Sequence, residues 1–231
     1  GDQDLTDNII HMVIAKIPDE NGKIYDDLST VNFFMVPKFL VDETGKMGAK
    51  NGVSTGGIEK KMGIKGSATC VLNFDEAKAW RLGPKPTPPK PGEKRSASAG
   101  MAGMFGMMNA ARMGVGIQGV SVAQVALDNA WDYVHERRVG RALTGPKDPT
   151  QPADLEIVHP DVRRMILHCR SFVEGARALA MWTAINHAVE DSNRPEKDQA
   201  GLLADLLTPV IKAFFTDMGF ECANMAMQCY G

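Results

Sequence analysis

The chain has 231 residues, of which 44% are hydrophobic and 23% are charged, as is usual for a globular protein with a buried core. Its formal net charge of −2 excludes a general electrostatic attraction to nucleic acid or to an anionic membrane. A chain of this length folds as one large domain or as two small ones.

Four cysteines are present, at Cys70, Cys169, Cys222 and Cys229. They form no CxxC pair and have no companion histidines at zinc spacing, so we expect reduced, buried thiols and no metal centre. We recognise no signal peptide and no membrane span, which favours a cytoplasmic protein. The chain begins with a glycine and stops on QCYG without a polar tail, so we expect a piece of a longer protein.

The first part of the chain, residues 1–83, carries β-strand signals. Its segments are rich in β-branched residues or alternate between apolar and polar side chains, and glycines separate them. Pro37 marks the edge or the exit of its strand, since proline cannot donate a hydrogen bond to a neighbouring strand. The predicted strand segments are 9–17, 31–40, 57–66 and 67–75. We predict a partial antiparallel sheet or barrel.

Residues 84–99 contain five prolines and no large apolar side chain. This composition is typical of a semi-rigid, polyproline-like connection on the surface. It cannot contribute to a core.

Residues 100–231 show helical periodicity, and the first helix is predicted to run to about Arg138. Gly114, Gly116 and Gly119 allow another backbone to approach this helix closely, at a cost in helix stability. The apolar residues near the helical period are Phe105, Met108, Val115, Val122, Ala126 and Tyr133.

A second helix is predicted to begin at His159-Pro160-Asp161, because proline suits the first helical position and an acid suits the first turn. Residues 190–198 form a polar loop, and a short helix follows over residues 200–207. Thr208 and Pro209 are a predicted cap and first residue of one more helix. The predicted fold class is therefore α+β, a partial antiparallel β domain followed by an antiparallel helical bundle.

Two adjacent arginines, Arg137 and Arg138, close the first helix. Cations there complement the helix dipole, worth roughly 0.3–1 kcal/mol each. An arginine at such a position also offers a rigid fork to a phosphate or pyrophosphate. The pattern leaves both interpretations open.

Arg112 lies in an apolar stretch beside Asn109 and must either pair with an anion or reach solvent. An internal ion pair and an anionic ligand both satisfy that requirement. Ser67 lies in a turn that leads into a strand, and it contributes to binding only if a polar ligand passes that edge of the sheet.

Four separated blocks resemble the acyl-CoA dehydrogenase family, most closely its branch that includes the 3-methylmercaptopropionyl-CoA dehydrogenases. They read IEKKMGIKGSATCVLNFD, MFGMMNAARMGVGIQGVSVAQVALDNAWDYVHERRVGRAL, HPDVRRMIL and LTPVIKAFFTDMGFECANMAMQCYG. The resemblance implies FAD-dependent α,β-dehydrogenation of an acyl-CoA thioester in fatty acid metabolism. It also implies a homo-oligomer, dimer or tetramer, that shares FAD sites and passes electrons to an electron-transferring flavoprotein.

Carried onto this sequence, the resemblance assigns roles to separate groups of residues. Arg137 matches the family arginine that contacts the FAD pyrophosphate of a neighbouring subunit, and Arg138 is an accessory cation. Asn109 and Arg112 match positions near the CoA nucleotide, and Ser67 matches a polar position near CoA. The turn that lies along the FAD of a neighbour corresponds to Gln228, Cys229, Tyr230 and Gly231.

The sequence also departs from the family pattern. Val139-Gly140 stands where many relatives have an aromatic residue and a glycine, and Pro160 replaces a common glutamine. The catalytic base implied by the resemblance is a glutamate beyond Gly231, so no catalytic residue is predicted within this chain. We expect the fragment alone to be inactive. The alternatives are an acyl-CoA oxidase-like flavoprotein and a truncated, non-catalytic assembly protein.

Overall fold

A computed structural model describes residue 3, residues 5–85 and residues 99–231 of the chain. The chain forms two compact units, residues 1–107 and residues 108–231. The predicted connection at 84–99 lies mostly outside the described residues, and Ala99 already belongs to the first helix. The predicted domain limits remain predictions.

The first unit contains short antiparallel strands in separate small sheets. The described strands are β1 (Ile10–Lys16), β2 (Val31–Pro37), β3 (Phe39–Val41), β4 (Met47–Lys50), β5 (Val53–Ile58), β6 (Cys70–Phe74) and β7 (Trp80–Leu82). One sheet has the order β1-β2-β7, and β3-β4 and β5-β6 are two-stranded. In the first sheet Val13 pairs with Phe34, and Met35 pairs with Trp80.

Three of the predicted strand segments, 9–17, 31–40 and 67–75, are confirmed, and Pro37 ends β2 as expected. The segment 57–66 is wrong as a strand, because only its first two residues belong to β5. The remainder is a loop in which Ile64 has a positive φ of 44°. Lysines and glycines there supply too few apolar side chains to bury.

The core of the first unit lies on the central strand β2, where Val31, Phe33 and Val36 are buried. Helix α1 (Ala99–Glu136) begins against this strand. A Cβ atom placed on Gly100 would lie 2.7 Å from the Cα of Asn32, so the close approach requires a glycine.

The second unit is built from the rest of α1, α2 (Pro160–Glu190) and α3 (Lys197–Gln228). The predicted start of α2 is confirmed, with Pro160 in its first turn and Asp161 beside it. The first helix is also confirmed, although it ends two residues before the predicted Arg138. The α+β fold class is confirmed.

Helix α3 corrects the prediction of two helices separated at Thr208. It is continuous from Lys197 to Gln228, with Pro209 in its interior. The predicted short helix over residues 200–207 is its first part, and Thr208 is a fully buried interior residue rather than a cap. The Thr208 hydroxyl donates to the carbonyl oxygen of Ala204 at 2.7 Å, which helps to hold the backbone around the proline.

The predicted apolar face of α1 is partly wrong. Phe105, Met108, Val115 and Val122 are exposed, whereas Ala126 and Tyr133 pack at the edge of the core. The buried positions include the small residues Ala123 and Ala130, both 0% exposed. The apolar side chains of α1 are distributed over all of its faces, so periodicity alone could not identify the face that packs against the core. The α1 residues of the main core are Val120, Ala123, Leu127, Ala130 and Val134.

Helices α1 and α3 run parallel and make their closest contact at glycines. A Cβ atom on Gly119 would lie 2.5 Å from the carbonyl oxygen of Phe215, and one on Gly116 would lie 3.1 Å from Ile211. The predicted close approach is therefore confirmed at these two positions. It is wrong at Gly114, where nothing lies within 4 Å of the added atom.

Among the described residues, no helix combines the length and the apolar character that a membrane crossing requires. The same part of the chain contains no cluster of three or more metal-ligating side chains. All four cysteines are free thiols, and Cys169, Cys222 and Cys229 are buried as predicted, whereas Cys70 is half-buried.

Candidate functional site

The candidate site for an anionic ligand lies where α1 ends. The amide of Arg137 donates to the carbonyl oxygen of Tyr133 at 2.8 Å, which completes the last helical turn. Its own carbonyl oxygen accepts from the amide of Glu156 at 2.8 Å. The backbone of Arg137 is thus held at both ends, while its side chain is exposed. Among the described residues, the Arg137 guanidinium has no hydrogen-bond or ion-pair partner.

The neighbouring Arg138 is bound within its own chain. Its Nη1 donates to the carbonyl oxygen of Ala153 at 3.0 Å, and its Nη2 lies 3.3 Å from the Asp148 carboxylate. Its backbone forms an isolated β-bridge with Leu155. The pKa of Asp148 lies below its usual value, mainly because the Thr150 hydroxyl donates to it and further because of Arg138. Arg138 therefore shapes the loop between α1 and α2.

Asp154 organises that loop. Its carboxylate is completely buried and accepts from the amides of Ala142 at 2.9 Å, Lys147 at 2.8 Å and Asp148 at 2.9 Å. The Arg141 guanidinium lies 3.4 Å away. These donors, the Ala142 amide first, lower the pKa of Asp154 to about 2. The fixed loop in turn supports the backbone that presents Arg137.

His159 also belongs to this support. Its Nε2 lies 2.8 Å from the carbonyl oxygen of Val139, and its backbone caps the start of α2 without a side-chain capping bond. Its observed role is to tie α2 to the residue after the arginine pair.

The last residues of α3 reach the same end of the second unit. The ring of Tyr230 packs on the ring of Tyr133 with centroids 4.3 Å apart, and Arg137 lies one turn beyond Tyr133. Gln228 and Tyr230 are exposed, and Gly231 has a positive φ of 99°. Cys229 is completely buried, and burial raises the pKa of its thiol. The structure thus brings Arg137 and residues 228–231 to one end.

Asn109 and Arg112 lie near the other end of α1. Arg112 Nη1 donates to Asn109 Oδ1 at 3.3 Å, and both side chains are half-buried. Arg137 follows Asn109 by 28 positions, a separation of about 42 Å at the rise of an α-helix. One phosphate cannot contact both ends, so these residues form two separate candidate sites.

Ser67 lies in the first unit, in the exposed loop before β6. Its amide donates to the carbonyl oxygen of Ile64 at 3.0 Å, and its carbonyl oxygen accepts from Lys61 Nζ at 2.6 Å. Its hydroxyl is exposed on a loop that its backbone bonds hold in place.

The family model described as "Acyl-CoA dehydrogenase, C-terminal domain" matches residues 98–231, which is more than half of the chain. The chain belongs to the acyl-CoA dehydrogenase family. The matched range contains the arginine pair, the Asp154 loop and residues 228–231, so these features lie in the part of the chain that carries the family likeness.

Curated relatives extend the match over the whole chain. A 3-methylmercaptopropionyl-CoA dehydrogenase from Ruegeria pomeroyi is 33% identical over 236 residues, covering 100% of this chain and 36% of the relative. A butyryl-CoA dehydrogenase from Syntrophomonas wolfei is 37% identical with the same coverage. The chain therefore spans about a third of the length of these relatives.

A solved structure supports the fold. Caenorhabditis elegans ACDH-11, in complex with C11-CoA, matches 96% of this chain and 32% of its own with a TM-score of 0.69. Its sequence identity is 20%, so this likeness concerns the fold alone.

Two residues that support the C-terminal end of α1 beside Arg137, namely Tyr133 and Asp154, are not predicted from the sequence. The helical periodicity places Tyr133 only on the apolar face, although a position one turn before Arg137 also indicates a role at this end of α1. Asp154 gave no signal, because its amide donors are spread over residues 142–148 and its neighbours form no motif.

Proposed function

We propose that the protein to which this chain belongs is an FAD-dependent acyl-CoA dehydrogenase that introduces an α,β double bond into an acyl-CoA thioester. Family membership and the relatives support the reaction class. The observation that carries the cofactor proposal is the exposed guanidinium of Arg137, which has no partner among the described residues and is supported by a fixed backbone.

The residues fit a dinucleotide at this end of the helices. A guanidinium presents parallel N–H donors that match the oxygens of a pyrophosphate. The exposed residues Gln228, Tyr230 and Gly231 add polar groups beside it. Because Arg138 is already bound to Asp148 and Ala153, Arg137 is the proposed ligand of the pair.

We further propose that this end serves FAD held mainly by a neighbouring subunit, so that the enzyme is a homo-oligomer. When bound, FAD supplies the hydride acceptor for dehydrogenation. The contribution of this chain is to bind and orient the dinucleotide through Arg137 and the turn at residues 228–231.

At the other end of α1, Arg112 and Asn109 are proposed to bind the nucleotide part of CoA. The half-exposed guanidinium, held by Asn109, is suited to a phosphate. Ser67 is proposed to contact CoA through its exposed hydroxyl.

The proposed catalytic base is a glutamate outside residues 1–231, and this chain alone is proposed to be inactive. Such a base removes the α-proton, for which a carboxylate with a raised pKa is suited. The electron acceptor of the complete protein is proposed to be an electron-transferring flavoprotein.

The test uses the full-length protein under anaerobic conditions. After mixing with a series of acyl-CoAs, we expect bleaching of the flavin absorbance and formation of the matching enoyl-CoA, measured by mass spectrometry. CoA without an acyl group is the control and should cause no bleaching. A protein that purifies without flavin and does not acquire it contradicts the proposal.

Readmitting oxygen separates a dehydrogenase from an oxidase. A dehydrogenase regains its flavin colour quickly with an electron-transferring flavoprotein and forms little peroxide with oxygen. Rapid stoichiometric peroxide formation would instead identify an acyl-CoA oxidase. Intact flavin with no reaction towards any acyl-CoA would favour a non-catalytic assembly protein.

A further inference from the structure

A small cavity lies between the end of α2 and the start of α3, and none of the proposed binding roles uses it. Its volume is about 340 Å³, within the range of about 300–1,000 Å³ that is typical of small-molecule sites. One wall is apolar and is formed by Val189, Ala200 and Leu203. The other wall carries polar and charged side chains. These belong to Asn186, Arg194, Glu196 and Gln199.

Asn186 supplies an unsatisfied acceptor to this cavity. The residue is only 8% exposed, and its Nδ2 donates to the carbonyl oxygen of Trp182 at 2.9 Å. Its Oδ1 accepts no hydrogen bond from any residue that the structure describes. Because a buried acceptor without a donor is costly, the cavity favours an occupant that donates to this oxygen.

Donors for an anion lie at the start of α3. Glu196 occupies the capping position, but its side chain caps no amide. The backbone amides of Asp198 and Gln199 have no acceptor within the described ranges, and the positive end of the helix dipole adds to them. The Arg194 guanidinium lines the cavity and has no hydrogen-bond or ion-pair partner among the described residues. Amide and guanidinium donors together suit a carboxylate.

The same cavity also presents groups that suit a cation. Glu196 is exposed, and its carboxylate has no ion-pair partner in the part of the chain that the structure describes. Together with Asn186 Oδ1 it offers acceptors to an ammonium group. A carboxylate, an ammonium group and an aliphatic side chain to fit the apolar wall occur together in one kind of small molecule, the aliphatic α-amino acid.

We propose that this cavity binds an aliphatic α-amino acid. Arg194 and the first amides of α3 bind its carboxylate, and Glu196 and Asn186 bind its ammonium group. Its side chain packs on the apolar wall. The site requires neither flavin nor the dehydrogenation of an acyl-CoA, so it stands apart from the proposed function.

Isothermal titration calorimetry of the full-length protein tests the site, with L-leucine as the probe. Isocaproate lacks the ammonium group and isoamylamine lacks the carboxylate, whereas both keep the aliphatic group. We expect saturable binding of L-leucine, and each of the two other compounds should bind at least about tenfold more weakly. Absence of saturable L-leucine binding, or equal binding of the three compounds, would overturn the proposal.

Substitutions at exposed positions locate the binding in this cavity. Arg194→Gln should weaken L-leucine binding about tenfold, and Glu196→Gln should also weaken it, because a neutral amide attracts the ammonium group less. Arg177→Gln is the matched control, since it removes the same charge from an exposed position on α2 outside the cavity. It should leave the affinity unchanged within about twofold. Equal affinities in Arg194→Gln and Arg177→Gln, with unchanged melting temperatures, would refute the site.

Discussion

Gly219 of α3 lies directly against Gly119 of α1. A Cβ atom on Gly219 would lie 2.6 Å from the carbonyl oxygen of Gly119, closer than any side chain allows. The crossing brings two helix backbones together at one point, and neighbouring core residues such as Phe215 are packed around it. The position of α1 relative to α3 therefore depends on the absence of side chains at both residues.

Gly219→Ala should destabilise the second unit because the added methyl group forces the two backbones apart. Overpacking of this kind costs about 1–3 kcal/mol of unfolding free energy. Gly114→Ala is the matched control, because it adds the same methyl group to α1 where nothing lies within 4 Å. That control should gain about 0.5–1 kcal/mol from helix propensity. Urea unfolding of both variants measures the difference, and equal effects would refute the close contact.

The glycine contact shows what a sequence pattern can and cannot indicate about α1. The pattern predicts the helix, and of the three glycines that it places at a close approach, Gly116 and Gly119 lie there and Gly114 does not. It could not identify the buried face, because large apolar residues such as Phe105 and Val122 are exposed while Ala123 and Ala130 are buried. Only the partner helices, which are chosen by tertiary packing, decide which apolar stripe faces inward.

Arg137→Ala should weaken FAD binding by the full-length protein about 10- to 100-fold, because it removes a charge-assisted donor that has no partner within the part of the chain that the structure describes. Arg138→Ala should leave FAD binding nearly unchanged but lower the melting temperature, since it breaks the bonds to Ala153 and Asp148. Flavin absorbance after dialysis and differential scanning calorimetry report the two effects separately. Small, equal losses of flavin in both variants would instead indicate that the two arginines only complement the helix dipole.

The different surroundings of these arginines could not be predicted from their sequence. They are adjacent and chemically identical, and the pattern left both interpretations open for each. The two arginines differ because of the fold of the loop that follows them. Asp148 and Ala153 reach Arg138 only when the Asp154 carboxylate binds the backbone amides of the loop. Such a loop depends on backbone amide donors, which every residue type except proline provides.

Asp154→Asn should destabilise the loop at neutral pH, because an amide group cannot accept from all the amides that bind the carboxylate. The folded-state pKa of Asp154 is about 2, below its ordinary value of 3.8. Its contribution to stability is therefore complete above pH 3.8 and is lost as the pH falls towards 2.

The melting temperature of the wild type should fall more steeply over this acid range than that of the Asp154→Asn variant. Asp217→Asn, at an exposed site within α3, is the control and should follow the wild type. Parallel acid profiles for the wild type and Asp154→Asn would show that the buried carboxylate does not sense pH.

Thr208→Val tests why α3 continues through Pro209 instead of beginning there. The Thr208 hydroxyl donates to the carbonyl oxygen of Ala204 and lies at hydrogen-bond distance, 2.9 Å, from His187 Nε2. It thus bonds two groups beside Pro209, which has no backbone N–H to donate. The Thr-Pro pair looked like a helix start because both signals are local, whereas His187 comes from α2. We expect a loss of about 1–2 kcal/mol of unfolding free energy, since the isosteric valine leaves His187 Nε2 without this hydrogen-bond partner. Thr216→Val, which removes a more exposed hydroxyl bonded to Lys212 in the same helix, should cost less than about 0.5 kcal/mol. If both variants unfold at the same urea concentration, the buried hydroxyl contributes nothing specific, and packing around the proline alone keeps the helix continuous.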